Sequence, residues 1–309
     1  MDSSLGSDLA VLQRGWLSSN NILLHGHDND GAVLVDTGYV THADQTLALV
    51  RHALRPGESL SRIVNTHLHS DHCGGNARLK RAFPAAHLVI PPGEANAVAR
   101  WDEDALTYRA TGQCCERFGH DGVLRAGGSF TVGSRTWTAH AAPGHDPHSL
   151  ILFDAGEGVL ISADALWANG FGVVFPELDG QSAFDDVATV LDEIERMAPR
   201  LVIPGHGAPF SDAADALARA RSRLAAFRAD PSKHARHAIK VLVKYHLLEV
   251  QHEPLPMLQA WFAATPLVTR VWQRLGRPER TAAAWLDRLM GELMAGGALR
   301  LHEGVVHDT

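Results

Sequence analysis

The segment His67-Leu68-His69-Ser70-Asp71-His72 places three imidazoles and one carboxylate within six residues. Borderline-soft divalent metals take ligands of these types. The segment follows the apolar run Ile63-Val64 and precedes Gly74-Gly75, so it reads as a tight loop delivered by a strand. On such a loop His67 and His69, two residues apart, share a face, while Asp71 and His72 turn toward a second point. That is spacing for two metals rather than one. Further along, His145 lies in Ala142-Pro143-Gly144-His145, Asp164 in Ile161-Ser162-Ala163-Asp164, and His206 in Ile203-Pro204-Gly205-His206. Each follows an apolar or turn-bounded segment, the position of a strand end. Seven candidate ligands then fall into two sets. His67, His69 and His145 serve one metal, Asp71, His72 and His206 the other, and Asp164 bridges. The chain has 19 histidines, so scattered ones such as His25, His27, His42, His52 and His87 are read as surface or core residues.

Two divalent ions about 3.5–4 Å apart can share a water and lower its pKa toward neutrality, which makes hydroxide the nucleophile. Asp71 is then both a ligand and the catalytic group that orients the hydroxide and takes its proton. No Ser/His/Asp triad is required, and the chain contains no Gly-x-Ser-x-Gly. Zinc suits the nitrogen-rich ligands; iron and manganese are permitted by ligand type.

This order of residues, with Val35-Asp36-Thr37-Gly38 upstream, resembles the metallo-β-lactamase superfamily, in its glyoxalase-II-like hydrolase branch, over roughly residues 18 to 210. The resemblance implies an αββα sandwich, and an Asp36 that braces the metal loop from behind its ligands. His69 stands where flavodiiron-type relatives carry a carboxylate, which points away from oxygen reduction. Persulfide dioxygenase relatives use one iron and fewer ligands. True β-lactamases generally lack the bridging carboxylate, so Asp164 points away from antibiotic hydrolysis. His148 stands where many relatives have Gly and is expected to add a polar group to the pocket rim.

The elements that must position these residues are legible as well. Residues 20–36 alternate around Asn29-Asp30-Gly31 and predict a hairpin. Helices are expected over 41–54, 76–83 and 184–197, and strands over 62–65, 87–90 and 201–203, with four or five short strands between 122 and 161. Strand runs separated by single helices suit a layered α/β fold. After Ser211 the pattern turns helical, over about 212–227, 234–248, 254–262, 266–275 and 281–294, and closes with a small hairpin around Glu303-Gly304. From Ala220 onward 13 Lys/Arg face 8 Asp/Glu, leaving 15 against 27 in the remainder. This change of sign supports a division into residues 1–215, a catalytic domain, and 216–309, a smaller, mostly helical domain resembling a winged-helix module.

Trp167, Phe171 and Phe175 follow Asp164 closely, and Trp101 and Tyr108 lie on an irregular helical insertion over 94–118. Together they predict an apolar pocket wall for a small-molecule substrate with an acyl or aryl part. Lys233, Arg236, His237, Lys240 and Lys244 recur at helical spacing. They form a solvated face, a clamp for an anionic thiol carrier such as coenzyme A or glutathione, or a set of nucleic-acid phosphate contacts. The acidic remainder ranks nucleic acid behind a small molecule. The expected reaction is hydrolysis of an ester-like carbonyl, a thioester first and a lactone second. The alternatives are a metal-dependent phosphodiesterase or nuclease, and a non-catalytic metal-binding module. Cys73, Cys114 and Cys115 form no disulfide framework, and Cys73 is expected as a buried filler. The start Met1-Asp2-Ser3-Ser4 has no leader pattern, and no run approaches the ~20 apolar residues of a membrane span; a cytoplasmic protein with no membrane partner is expected. The pairs Trp261-Phe262 and Val271-Trp272 suit either a core or an oligomer interface.

Overall fold

The computed structural model of the protein describes residues 7–27 and 30–309. The reading of Met1–Ser4, and Asn29 of the expected turn, lie outside them. Strands β1 (Leu9–Leu12), β2 (Asn21–Leu24), β3 (Ala32–Val35), β4 (Leu60–Val64), β5 (His87–Ile90) and β6 (Gly122–Val123) form one sheet in that order. Its first three strands pair antiparallel and the rest pair parallel. Strands β7 (Ser129–Val132), β8 (Arg135–Ala141), β9 (Leu150–Asp154), β10 (Val159–Ala163) and β11 (Leu201–Pro204) form a second, ordered β11-β10-β9-β8-β7.

Period-two alternation sorts these strands' side chains between layers. Ile22, Leu24, Val33, Val35 and Val64 meet Trp137, Leu152, Ile161 and Ile203 between the sheets. Leu23, Leu34, Ile63 and Leu88 face outward and share a core with Leu47, Val50 and Leu79. The helices on that side are α1 (Ala43–Ala53), α2 (Ser70–Cys73), α3 (Asn76–Ala82), α4 (Ala95–Arg100) and α5 (Tyr108–Thr111). On the other side are α6 (Phe175–Leu178), α7 (Phe184–Met197) and α8 (Ala213–Ala229). There Ile151, Leu160 and Val202 pack on Val187, Val190, Leu191 and Ile194. The result is the expected αββα sandwich.

The C-terminal part comprises α9 (Pro231–Val250), β12 (His252–Pro254), α10 (Leu255–Ala264), α11 (Pro266–Arg274), α12 (Ala282–Ala295), β13 (Leu299–His302) and β14 (Val305–Asp308). The closing hairpin gains β12 as a third strand. The expected boundary at 215 falls inside α8, whose Ala216, Leu217, Ala220 and Leu224 complete the core over the second sheet. The core changes instead between α8 and α9. There Asp230 caps the new helix through Ser232 N, at 3.1 Å, with Pro231 in its first turn. Phe262 and Val271 are buried in the C-terminal core, and Trp261 and Trp272 pack against it, so both apolar pairs serve that core. Three of the basic positions of α9 are paired within the chain. Arg236 and Lys240 pair with Glu292, and Lys244 pairs with Asp308. Among the described residues no helix is long and apolar enough to cross a membrane.

Candidate metal centre

Strands β8, β10 and β11 run in one direction, so their C-terminal ends open on one edge of the second sheet. His145, Asp164 and His206 follow those ends. From the first sheet, β4 delivers the hexapeptide loop to the same edge, where Leu150 N donates to Thr66 O at 2.8 Å and joins the two sheets. All seven predicted ligands meet there. His67, His69 and His145 form one group, and Asp71, His72, Asp164 and His206 another, with the ligand atoms of each group within 4.8 Å of one another. Asp164 faces both groups. Its Oδ2 lies 3.4 Å from His145 Nε2 and 3.9 Å from His206 Nε2, and its Oδ1 lies 3.4 Å from His72 Nε2.

The outward ring nitrogens of His72 and His145 are held, which leaves their inner nitrogens free to ligate. Asp36 Oδ2 accepts from His72 Nδ1 at 2.7 Å, while the same carboxylate accepts from Thr66 N and Thr66 Oγ1. Asp36 thus lies behind the loop that carries His67 to His72. His145 Nδ1 donates to Val173 O at 2.6 Å. Hydrogen bonds of this kind set the tautomer and orient a metal-ligating imidazole. His67 Nε2 and His72 Nε2 are buried without a hydrogen-bond partner. Each such orphan costs about 1–3 kcal/mol unless something fills its lone pair, and a metal ion does so. Two such buried nitrogens among imidazoles and carboxylates fit a pair of divalent ions.

The electrostatics agree. Burial first, then neighbouring histidines, holds His67 well below the usual imidazole range and pushes His69 down to about 4. Both are therefore neutral and ligand-ready. Burial opposes charge on Asp164 too, but His72 and His206 outweigh it and hold its carboxyl well below the usual range. Burial disfavours charge on His72, yet Asp164, Asp36 and Asp71 raise it well above the usual range. Three carboxylates around one imidazole make a strongly cation-seeking pocket.

The glycine before His206 is set by this packing. A Cβ on Gly205 would lie 2.2 Å from Asp164 Oδ1 and 3.0 Å from His72 Cε1. Gly205→Ala is therefore expected to displace the shared carboxylate and weaken metal binding about 10–100-fold, as loss of ligand orientation generally does. A chelator competition titration measures this, and native affinity would show that the loop accommodates the methyl.

The pocket residues divide. Trp167 stands at the centre: its Nε1 donates to Asp164 Oδ1 at 3.2 Å, and its ring meets His206 edge-on at 5.5 Å. Phe175 flanks the other group, 4.9 Å from the His69 ring and 5.6 Å from that of His145. Three expectations are corrected. Tyr108 does not close over the metals; it is buried beneath the loop, where its hydroxyl donates to Leu68 O at 2.9 Å. Trp101 packs on Tyr108 and Phe118 in the same core. Phe171 is buried over the second sheet against Phe227. In each case the apolar ring fills the layer behind the site. His148 is exposed, with its ring lying on Gly93. Cys73 is buried and contacts Tyr108 Oη at 3.1 Å, outside both ligand groups.

Sequence reasoning missed Trp16 and Tyr245. Trp16 is 55% exposed, yet its ring stacks on His206 at 5.4 Å and meets Trp167 edge-on. Tyr245 on α9 donates to Leu17 O at 3.0 Å, and its ring meets Tyr39 edge-on. Neither lies near a ligand in sequence; an unassigned aromatic just before the first hairpin was the only signal for Trp16.

A family profile described as "Metallo-beta-lactamase superfamily" matches residues 14–206. A hydroxyacylglutathione hydrolase of Rhizobium johnstonii is 28% identical over 225 residues, 68% of this chain and 78% of the relative. One from Xanthomonas campestris pv. campestris is 29% identical over 262 residues, 83% of this chain and 82% of the relative. With some other relatives of that name the match spans 56% to 62% of their length. Among solved structures, a metallo-beta-lactamase family protein from Thermus thermophilus superposes with a TM-score of 0.58 at 19% identity. That superposition covers 99% of this chain and 100% of the other, a likeness of fold.

Proposed function

The chain belongs to the metallo-β-lactamase superfamily, and from that premise we propose that it is a zinc-dependent hydrolase of a thioester with an apolar acyl or aryl part. That it is a metal-dependent hydrolase follows from the family and the named relatives. The observation that carries the two-metal form of this reading is Asp164, whose oxygens face both ligand groups at 3.4 Å. His67, His69 and His145 would hold one ion, Asp71, His72 and His206 the other, and Asp164 both. Bound there, divalent ions acidify a water and polarise the scissile carbonyl.

The chain's own residues supply the rest. Asp71 Oδ2 sits 3.0 Å from His206 Nε2, which fixes the carboxylate at the site; we assign its other oxygen to accept the proton of the attacking water. Trp16, Trp167 and Phe175 offer apolar surface beside both groups and exclude water from the acyl side. The thioester rests on the relatives' name, since a hydroxyacylglutathione is an S-acyl compound. A lactone shares the carbonyl chemistry and ranks second. Phosphodiester hydrolysis ranks behind both, because Arg236, Lys240 and Lys244 are already paired with Glu292 and Asp308.

The test sets an acyl-thioester reporter beside a phosphodiester reporter with zinc-loaded protein, and uses Asp71→Asn as the control. Thioester turnover is expected, falling about 10²–10⁴-fold in the variant, the usual worth of a positioned proton acceptor. Phosphodiester turnover alone would overturn the carbonyl assignment.

A further inference from the structure

One peptide is hydrogen-bonded both to the first ligand group and to the C-terminal part. His145 Nδ1 donates to the carbonyl of Val173 at 2.6 Å. The N–H of the same peptide unit, on Val174, donates to His234 Nε2 at 3.1 Å. His234 lies on α9, across the change of core, and is 1% exposed, with the rings of Phe227 and Phe184 edge-on at 5.0 and 5.3 Å. The segment between is fastened at its ends to the backbones of two ligands: Gly172 N donates to Asp164 O at 2.9 Å, and Phe175 N to His145 O at 3.3 Å.

We propose that His234 is a positioning residue for the first metal group, holding His145 in its ligand tautomer through the peptide that joins Val173 to Val174. This rests on the metal-centre reading above and deepens it. A trans peptide directs its C=O and N–H to opposite sides, so one rigid plane connects the two imidazoles. Donation from Val174 N–H into His234 polarises the Val173 carbonyl and strengthens its hold on the His145 Nδ1–H. That hold keeps the proton on Nδ1 and leaves His145 Nε2, 2.7 Å from His69 Nδ1, as the donor. The chain requires His234 to accept at Nε2. Burial, then His237, holds His234 down at about 4, so it stays neutral and able to accept.

The experiment has two arms. In the native protein, ¹⁵N NMR of labelled imidazoles reads the tautomers directly, with and without zinc. The expected result is a proton on Nδ1 of both His145 and His234; a proton on His234 Nε2 overturns the proposal. In variants, His234→Leu is expected to weaken zinc binding at one of two sites about 10–100-fold, to alter the visible spectrum of the cobalt-substituted protein, and to lower kcat more than it changes KM. His234→Gln, which keeps an acceptor, should restore most of each. Native affinity and an unchanged cobalt spectrum in a folded His234→Leu protein also overturn it. If that variant does not fold, the tautomers decide. Because tautomer, affinity and spectrum need no substrate, failure of the thioester assignment would leave this result standing, and the reverse.

Discussion

With Asp164 replaced by alanine, thioester hydrolysis is expected to fall on the order of 10³-fold or more, and the protein to retain one tightly held ion where two are proposed for the native chain. The magnitude follows from the several kcal/mol of charge stabilisation that a correctly held metal supplies, at tenfold per 1.36 kcal/mol. Asp164 is the residue that makes two ligand groups one site, because it faces His145 and His206 with one oxygen and His72 with the other. Asp164 lies within the ligand group of Asp71, His72 and His206, so the second group should suffer more than the first. Elemental analysis after dialysis and kcat/KM on a thioester reporter check both parts. Two retained ions with near-native turnover would falsify the bridging role.

Removing the metals should be as costly to stability as losing Asp164 is to turnover. An ion present at 1,000 times its Kd stabilises by about 4 kcal/mol, so two such ions contribute about 8. At about 2.1 cal/mol/K of unfolding entropy per residue, a chain of 309 residues shifts about 1.5 °C per kcal/mol, so exhaustive chelation should lower Tm by on the order of 10 °C. The physical source is visible in the site. Without an ion, His67 Nε2 and His72 Nε2 are buried and unpartnered, and the carboxylates of Asp36, Asp71 and Asp164 crowd around His72. Thermal unfolding before and after chelation, with zinc re-addition, measures it. A shift of only a degree or two would mean that the scaffold holds this arrangement without help from an ion.

Much of the centre was legible because its signals are local. Ligand types, their spacing within 67–72, and the apolar runs before His145, Asp164 and His206 are properties of short segments. Strand alternation likewise forecasts which of Leu23, Leu34 and Ile63 face helices and which neighbours face the other sheet. Aromatic residues close to a ligand in sequence were a poorer guide. Trp167 and Phe175 reach the centre, whereas Phe171, between them, turns into the core. Proximity along the chain does not specify the direction of a side chain in irregular backbone. The basic run on α9 was ambiguous for a related reason: its partners Glu292 and Asp308 lie about fifty residues or more away.

By itself the sequence determined the candidate donors, their order and the layered architecture, because coordination chemistry depends on residue type and strand and helix formation on short-range periodicity. Tertiary structure decided what surrounds those donors. Trp16 on His206 and His234 behind the Val173–Val174 peptide are contacts between segments far apart in the chain. Such contacts exist only once both sheets and α9 have closed on one edge, and no local pattern encodes the path that brings them there.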